Sequence, residues 1–147
     1  MTHFLPRLAT LLAGACLACL LSLSAHAGPL SDAEQLQVRD VIQAQLDAFA
    51  QDDADTAFEL ATPGIRATLG KSERLLALVR EAYPMVYRAA SVAYFKAEES
   101  NGTVLQLVRI TDPHSKSWLA IFSLERQADA SWRISGCLVT ESGWLSA

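Results

Sequence analysis

A change of hydrophobic period between Pro84 and Ser91 constrains this chain more than any other feature. Before it, apolar residues recur every three or four positions. After it they alternate, and the alternation closes on Trp132-Arg133-Ile134-Ser135-Gly136-Cys137-Leu138-Val139. A period near 3.6 marks amphipathic helices and a period of 2 marks strands. Helices therefore come first and strands last. Consecutive strands joined by short turns pair antiparallel, because parallel pairing needs long crossovers. The expected class is α+β, with three helices packed on a curved four-stranded antiparallel meander.

The helical half reads in three pieces. Val38, Ile42, Leu46 and Phe49 form one apolar stripe, widened by Val41, and Ser31 and Asp32 offer N-caps, which predicts a helix over about Asp32 to Ala50. Gln51-Asp52-Asp53-Ala54-Asp55 breaks it and caps a shorter helix carrying Ala57, Phe58 and Ala61. Thr62-Pro63-Gly64 reads as the end of that helix, and Ile65 to Gly70 as irregular. Ser72 is the expected cap of a third helix, with Leu75, Leu76, Val79, Ala82 and Tyr83 inward, stopped by Pro84.

The strand half divides at turn chemistry. Ser91 to Ala97 is the first expected strand, and Asn101-Gly102 favours a tight hairpin into Thr103 to Thr111. Asp112-Pro113-His114-Ser115 turns into Ser117 to Glu125, and Gln127 to Ser131 leads to the closing strand. Strict alternation places Trp132, Ile134 and Gly136 on one side of that strand and Arg133, Ser135 and Cys137 on the other. Trp118, Ala120, Phe122 and Leu124 share one face of the third strand, yet Leu119 and Ile121 lie opposite, as Leu105 and Leu107 do on the second. A sheet with one wet face alternates more cleanly than this. A homodimer formed through the sheet is one expected consequence, and strong curvature enclosing both faces is the other.

The first residues read as a targeting segment. Arg7 precedes an uncharged run from Leu8 to Leu23, followed by Ser24-Ala25-His26-Ala27, which offers small residues where signal peptidase cuts. Residues 1–27 are expected to be a signal peptide and residues 28–147 a single domain, placing the protein in the periplasm or outside the cell with no stable membrane insertion after cleavage. A lipoprotein acylated at Cys16 or Cys19 and a retained anchor are the weaker alternatives, since neither cysteine follows a good acylation box and the apolar run is short for a span of about 20 residues. The chain carries a net charge of −4, and losing Arg7 makes it more acidic. Without a basic cluster, nucleic-acid binding is not expected. Cys137 would remain without a disulfide partner, and its strand-interior position suggests an inert buried thiol.

Three helices before a meander, a polar-aromatic corner Tyr83-Pro84-Met85-Val86-Tyr87-Arg88, the Trp118-Leu119-Ala120 strand and the closing Trp132-Arg133-Ile134-Ser135-Gly136-Cys137 together resemble the bacterial family known as domain of unknown function 4864, within the NTF2-like (cystatin-like) superfamily. The resemblance spans about Ser31 to Thr140. It implies a long helix across a bent sheet with a conical cavity between them, and an exported bacterial protein. It implies no reaction, because a fold does not fix function.

Enzymes of the NTF2-like type, such as ketosteroid isomerases and dehydratases, place acid and base groups in that cavity. Asp40 and Asp47 are the candidate bases, beside the tyrosines as oxyanion donors, but both flank the apolar stripe of the first helix. His114, alone after residue 27, falls in turn chemistry beside Asp112. Asp52-Asp53-Ala54-Asp55 lacks the spacing of a calcium loop and fits helix capping, and Asn101-Gly102-Thr103 fits a turn better than a glycosylation site. No catalytic residue, metal site or cofactor is expected. The best ligand-binding candidates are Tyr83, Tyr87 and Arg88 at the corner, which offer aromatic walls and a guanidinium for a small carboxylate, joined by Tyr94 and Arg109. The expected role is non-catalytic binding of a small molecule or a protein partner. A cavity enzyme of isomerase or dehydratase type and a structural accessory homodimer are the alternatives.

Overall fold

The computed structural model describes residues 29–143; the expected signal peptide, residues 1–27, lies outside them. Five helices precede five strands: α1 (Asp32–Ala50), α2 (Ala54–Glu59), α3 (Pro63–Leu69), α4 (Ser72–Ala82), α5 (Pro84–Tyr87), β1 (Ser91–Tyr94), β2 (Glu98–Ser100), β3 (Thr103–Thr111), β4 (Ser117–Arg126) and β5 (Trp132–Glu141). The α+β class and the antiparallel meander hold. The count of three helices and four strands does not.

Both differences have local causes. Thr62 caps a new helix: its side chain accepts from the Ile65 amide, and Pro63 sits in the first turn, where a missing N–H costs nothing. The segment expected to be irregular is thus α3. Pro84 plays the same part at the start of α5. Ser72 is the first residue of α4 rather than its cap, and its hydroxyl donates to Asp55 Oδ1. The other expected caps are in place. Ser31 and Glu34 form a reciprocal capping box at α1, and Asp53 caps α2 through the Thr56 amide.

The expected first strand stops at Tyr94, short of Ala97, and a separate strand, β2, begins at Glu98. β1 pairs β3 from Ser91↔Thr111 to Tyr94↔Val108, and β2 pairs β3 from Glu98↔Leu105 to Ser100↔Thr103. Between them the backbone leaves the ladder, and two glutamines satisfy it. Gln106 Nε2 donates to the Phe95 carbonyl at 2.6 Å. Gln35 on α1 accepts from the Ala97 amide and donates to its carbonyl, both at 2.8 Å. These side chains replace the ladder partners that the kink removes, so the sheet bends without orphaning its backbone. The sheet order is β1-β3-β4-β5, with β2 also on β3. Asn101 and Gly102 both take positive φ, 53° and 79°, as the two-residue hairpin between β2 and β3 requires.

The inner face of the sheet carries Val104, Gln106, Val108 and Ile110 from β3 against Phe122, Ala120 and Leu124 from β4. Val38, Ile42, Leu46 and Phe49 of α1 lie buried against this side; burying four such side chains stabilises the fold by roughly 6–12 kcal/mol before chain entropy. On β5 the register changes: Ser123 faces Gly136, but Leu124 faces Ile134, leaving Ser135 as an extra residue. This β-bulge overturns the strict alternation expected for the closing strand. Cys137 pairs with inward-facing Phe122 and packs against the core with Trp132 and Ile134. Gly136 stands opposite Ser123, where a Cβ would come within 2.9 Å of the serine hydroxyl.

Candidate functional site

Helices α3 and α4 roof the β5 side of the sheet, and a cavity of about 240 Å³ remains beneath them. Its floor is Phe122, Ile134 and Cys137; α1 contributes Gln45 and Phe49. The roof is Ile65, Leu69, Leu75 and Val79, with Tyr83 and Val86 at the end of α4 and in α5. Leu78, 46 % exposed, and exposed Thr68 form the rim. Amphipathic α4 explains the shape: it commits Leu75, Leu76 and Val79 to the interior, while short α3 has no fully buried residue and leaves the space beneath it open.

The wall contains no Asp, Glu, His, Lys or Arg. Its polar side chains are those of Gln45, Thr68, Tyr83 and Cys137. The Thr68 hydroxyl is spent on the Gly64 carbonyl at 3.0 Å. Burial pushes the Cys137 thiol up to about 12, so it stays protonated and behaves as a small apolar group. Gln45 is 5 % exposed, and its Nε2 donates to the Ala57 carbonyl at 3.0 Å.

The residues singled out from sequence do not converge. Of them, Tyr83 alone lines the cavity. Tyr87 and Arg88 belong to an exposed cluster around Asp52: the Tyr87 hydroxyl donates to Asp52 Oδ1, Arg80 reaches the same oxygen at 3.0 Å, and Arg88 lies 3.6 Å from Oδ2. Both guanidiniums stack on the Tyr87 ring, 5.2 and 5.0 Å from its centre. The tyrosine hydrogen bond, then Arg80, holds the Asp52 carboxyl below its ordinary range. Asp52 also adopts φ 55°, so the cluster pins the sharp turn from α1 to α2.

Tyr94 stands on the β1 side, donating to Gln43 Oε1 at 2.8 Å with Arg39 over its ring. Burial, then the charge of Asp47, pushes its hydroxyl up to about 12. Arg109 projects from the outer face of β3 over Phe95. Asp40 and Asp47 are exposed, and Asp47 accepts from Gln43. Asp112 serves its turn, accepting from the His114 and Lys116 amides and from Trp118 Nε1. Among the described residues, no group of three or more His, Cys, Asp or Glu is placed to hold a metal ion, and no helix is long and apolar enough to cross a membrane.

Sequence reasoning missed Gln45 and the α3 wall. A signal for Gln45 was present: it falls within the apolar stripe of α1, between Ile42 and Phe49, where a polar side chain must find buried partners.

Residues 31–147 match the family described as domain of unknown function DUF4864, and the chain belongs to that family. No curated protein matches the sequence. Among solved structures, Aln2 from a Streptomyces species is similar at 18% identity and TM-score 0.52, covering 81% of this chain and 98% of Aln2; that likeness concerns the fold alone. An NTF-2 like protein of unknown function from Burkholderia xenovorans aligns at 15% identity and TM-score 0.44, over 76% of this chain and 91% of its own. A SEC-C motif containing protein from Rhodopseudomonas palustris aligns at 17% identity and TM-score 0.47, over 69% and 77%.

Proposed function

We propose that this protein is an exported, non-catalytic binding domain that holds a small, mainly apolar molecule in the cavity under α3 and α4. One observation carries the reading: the cavity is built almost wholly of apolar side chains and contains no Asp, Glu, His, Lys or Arg. Isomerase or dehydratase chemistry needs such a group beside the substrate. Binding needs only a concave apolar wall and a few polar contacts. A cavity of about 150 Å³ admits benzene, so one of this size suits a ligand of about ten non-hydrogen atoms. Export rests on the leader-like residues 1–27, and fractionation of producing cells tests it: a shortened chain in the periplasm or medium is expected, and a full-length cytosolic chain overturns it.

The binding reading is tested by thermal shift with naphthalene on the wild type and on Ala61→Phe, which fills the cavity from its wall. The wild type should gain stability with concentration and the filled variant should not. Equal shifts in both would overturn the assignment of the cavity as the site.

A second reading concerns the outer face of the sheet, where Leu105, Ile121 and Leu138 are 42 %, 38 % and 73 % exposed. Arg109 stands toward one end of β3, with Glu98 and Glu125 toward the other end of the same face. A two-fold axis through the apolar centre sets unlike charges opposite each other, as a self-complementary dimer requires. Sedimentation at two concentrations tests it; Leu138→Asp should leave only monomer, and a wild type monomeric throughout rejects the dimer.

A further inference from the structure

The Gln45 side chain is only half used. Its Nε2 meets the Ala57 carbonyl, and that bond fixes the orientation of the amide, since only the nitrogen end can donate to a carbonyl. Its Oε1 has no partner among the described residues. The buried side-chain atoms left without a partner, among those residues, are Arg66 Nε and Trp132 Nε1, so Gln45 Oε1 is not sealed off and reaches open space. For a residue 5 % exposed that lines the cavity, that space is the cavity.

An unmatched acceptor in an apolar chamber costs free energy until something donates to it. Water serves it poorly, since a well-held water needs two to four polar partners and the other wall hydroxyls are few. We infer that the cavity selects a neutral, largely apolar molecule carrying a hydroxyl, a phenol or cyclic alcohol, whose O–H donates to Gln45 Oε1 while its body lies against Val79, Phe122 and Ile134. This deepens the binding reading above and rests on it. A carboxylate is disfavoured twice: its oxygens would face a carbonyl acceptor, and no Lys or Arg in the wall offsets its desolvation. The small carboxylate expected at the Tyr87 and Arg88 corner is thereby not the ligand of this chamber.

Titration calorimetry on the wild-type protein with 2-naphthol, 2-methoxynaphthalene and 2-naphthoate separates these ideas by the ligand alone. The naphthol should bind about five-fold tighter than the methyl ether, which has the same rings and no donor, and the naphthoate should bind weakest. Equal affinity for naphthol and ether overturns the role of Gln45 while leaving apolar binding intact. Tightest binding by naphthoate overturns the neutral-ligand assignment, and no binding by any of the three overturns the cavity reading itself. Gln45→Met should erase the naphthol preference and leave the ether unchanged. Because that variant unpairs the Ala57 carbonyl, the wild-type comparison decides the matter if the variant does not fold.

Discussion

The two sides of the sheet's inner face are built from similar residues yet differ in how they are closed. On the β3 side, Val38, Ile42, Val104, Val108 and Ile110 have no exposure at all, and α1 is tied to the kinked strand by Gln35 and to Tyr94 by Gln43. On the β5 side, two shorter helices cover Ile134 and Cys137 and leave about 240 Å³ beneath them. A long capped helix with a continuous stripe closes a sheet, whereas a seven-residue helix with none of its residues fully buried leaves a hollow. Stability and binding are thus divided between the two sides.

Substitutions can break or sharpen that division. The largest effect is expected from Trp132→Ala at the root of β5, where a ring 5 % exposed is lost: about 3–5 kcal/mol by urea denaturation. An unchanged midpoint would remove Trp132 from the core. Next come paired enlargements. Ala120→Leu, on the packed side, should cost about 3 kcal/mol through overpacking, while Ala61→Leu, at the cavity wall, should change stability by less than about 1 kcal/mol; similar losses would mean that both sides are equally full.

Alkali gives a smaller and common loss of stability. Cys137 and Tyr94, one on each side, have a thiol and a hydroxyl that burial raises to about 12. A raised folded value means that their stabilisation is complete below the unfolded values near 9 and 10 and fades as pH climbs toward 12. Urea midpoints measured from about pH 8 to 11 should decline accordingly. A bound ligand should slow thiol labelling at Cys137 and leave Tyr94 titration untouched; parallel effects on both would place the ligand elsewhere. The smallest effect belongs to Leu138→Asp on the outer face, within about 0.5 kcal/mol for the isolated chain, with its consequence read in sedimentation instead.

Much of the frame is legible in the sequence because it rests on local rules. The bounds of α1 follow from its stripe and its caps, the hairpin from Asn101-Gly102, and the burial of alternate residues on β3 and β4 from their period. The family, too, is recognisable from the corner and closing motifs. What escapes depends on tertiary partners. Thr62-Pro63 reads as an ending, although the same residues equally begin a helix. The break at Phe95 to Ala97 depends on glutamines 62 and 11 positions away in sequence. The corner of Tyr87 and Arg88 has the makings of an anion grip until Asp52, 35 residues earlier, is seen to occupy it. Gly136 inside a strand is a sign of a bulge that strict alternation passes over.

Ser135, the unpaired residue of that bulge, acts as a parity bit for everything that follows it in β5. Because Ser135 and Gly136 together spend two positions on one partner, every later residue takes the side opposite to that set by unbroken alternation: Cys137 turns to the floor of the chamber and the larger Leu138 to the outer surface. One extra position thus sets two surfaces at once, keeping the bulkier side chain out of the cavity and placing it on the outer face.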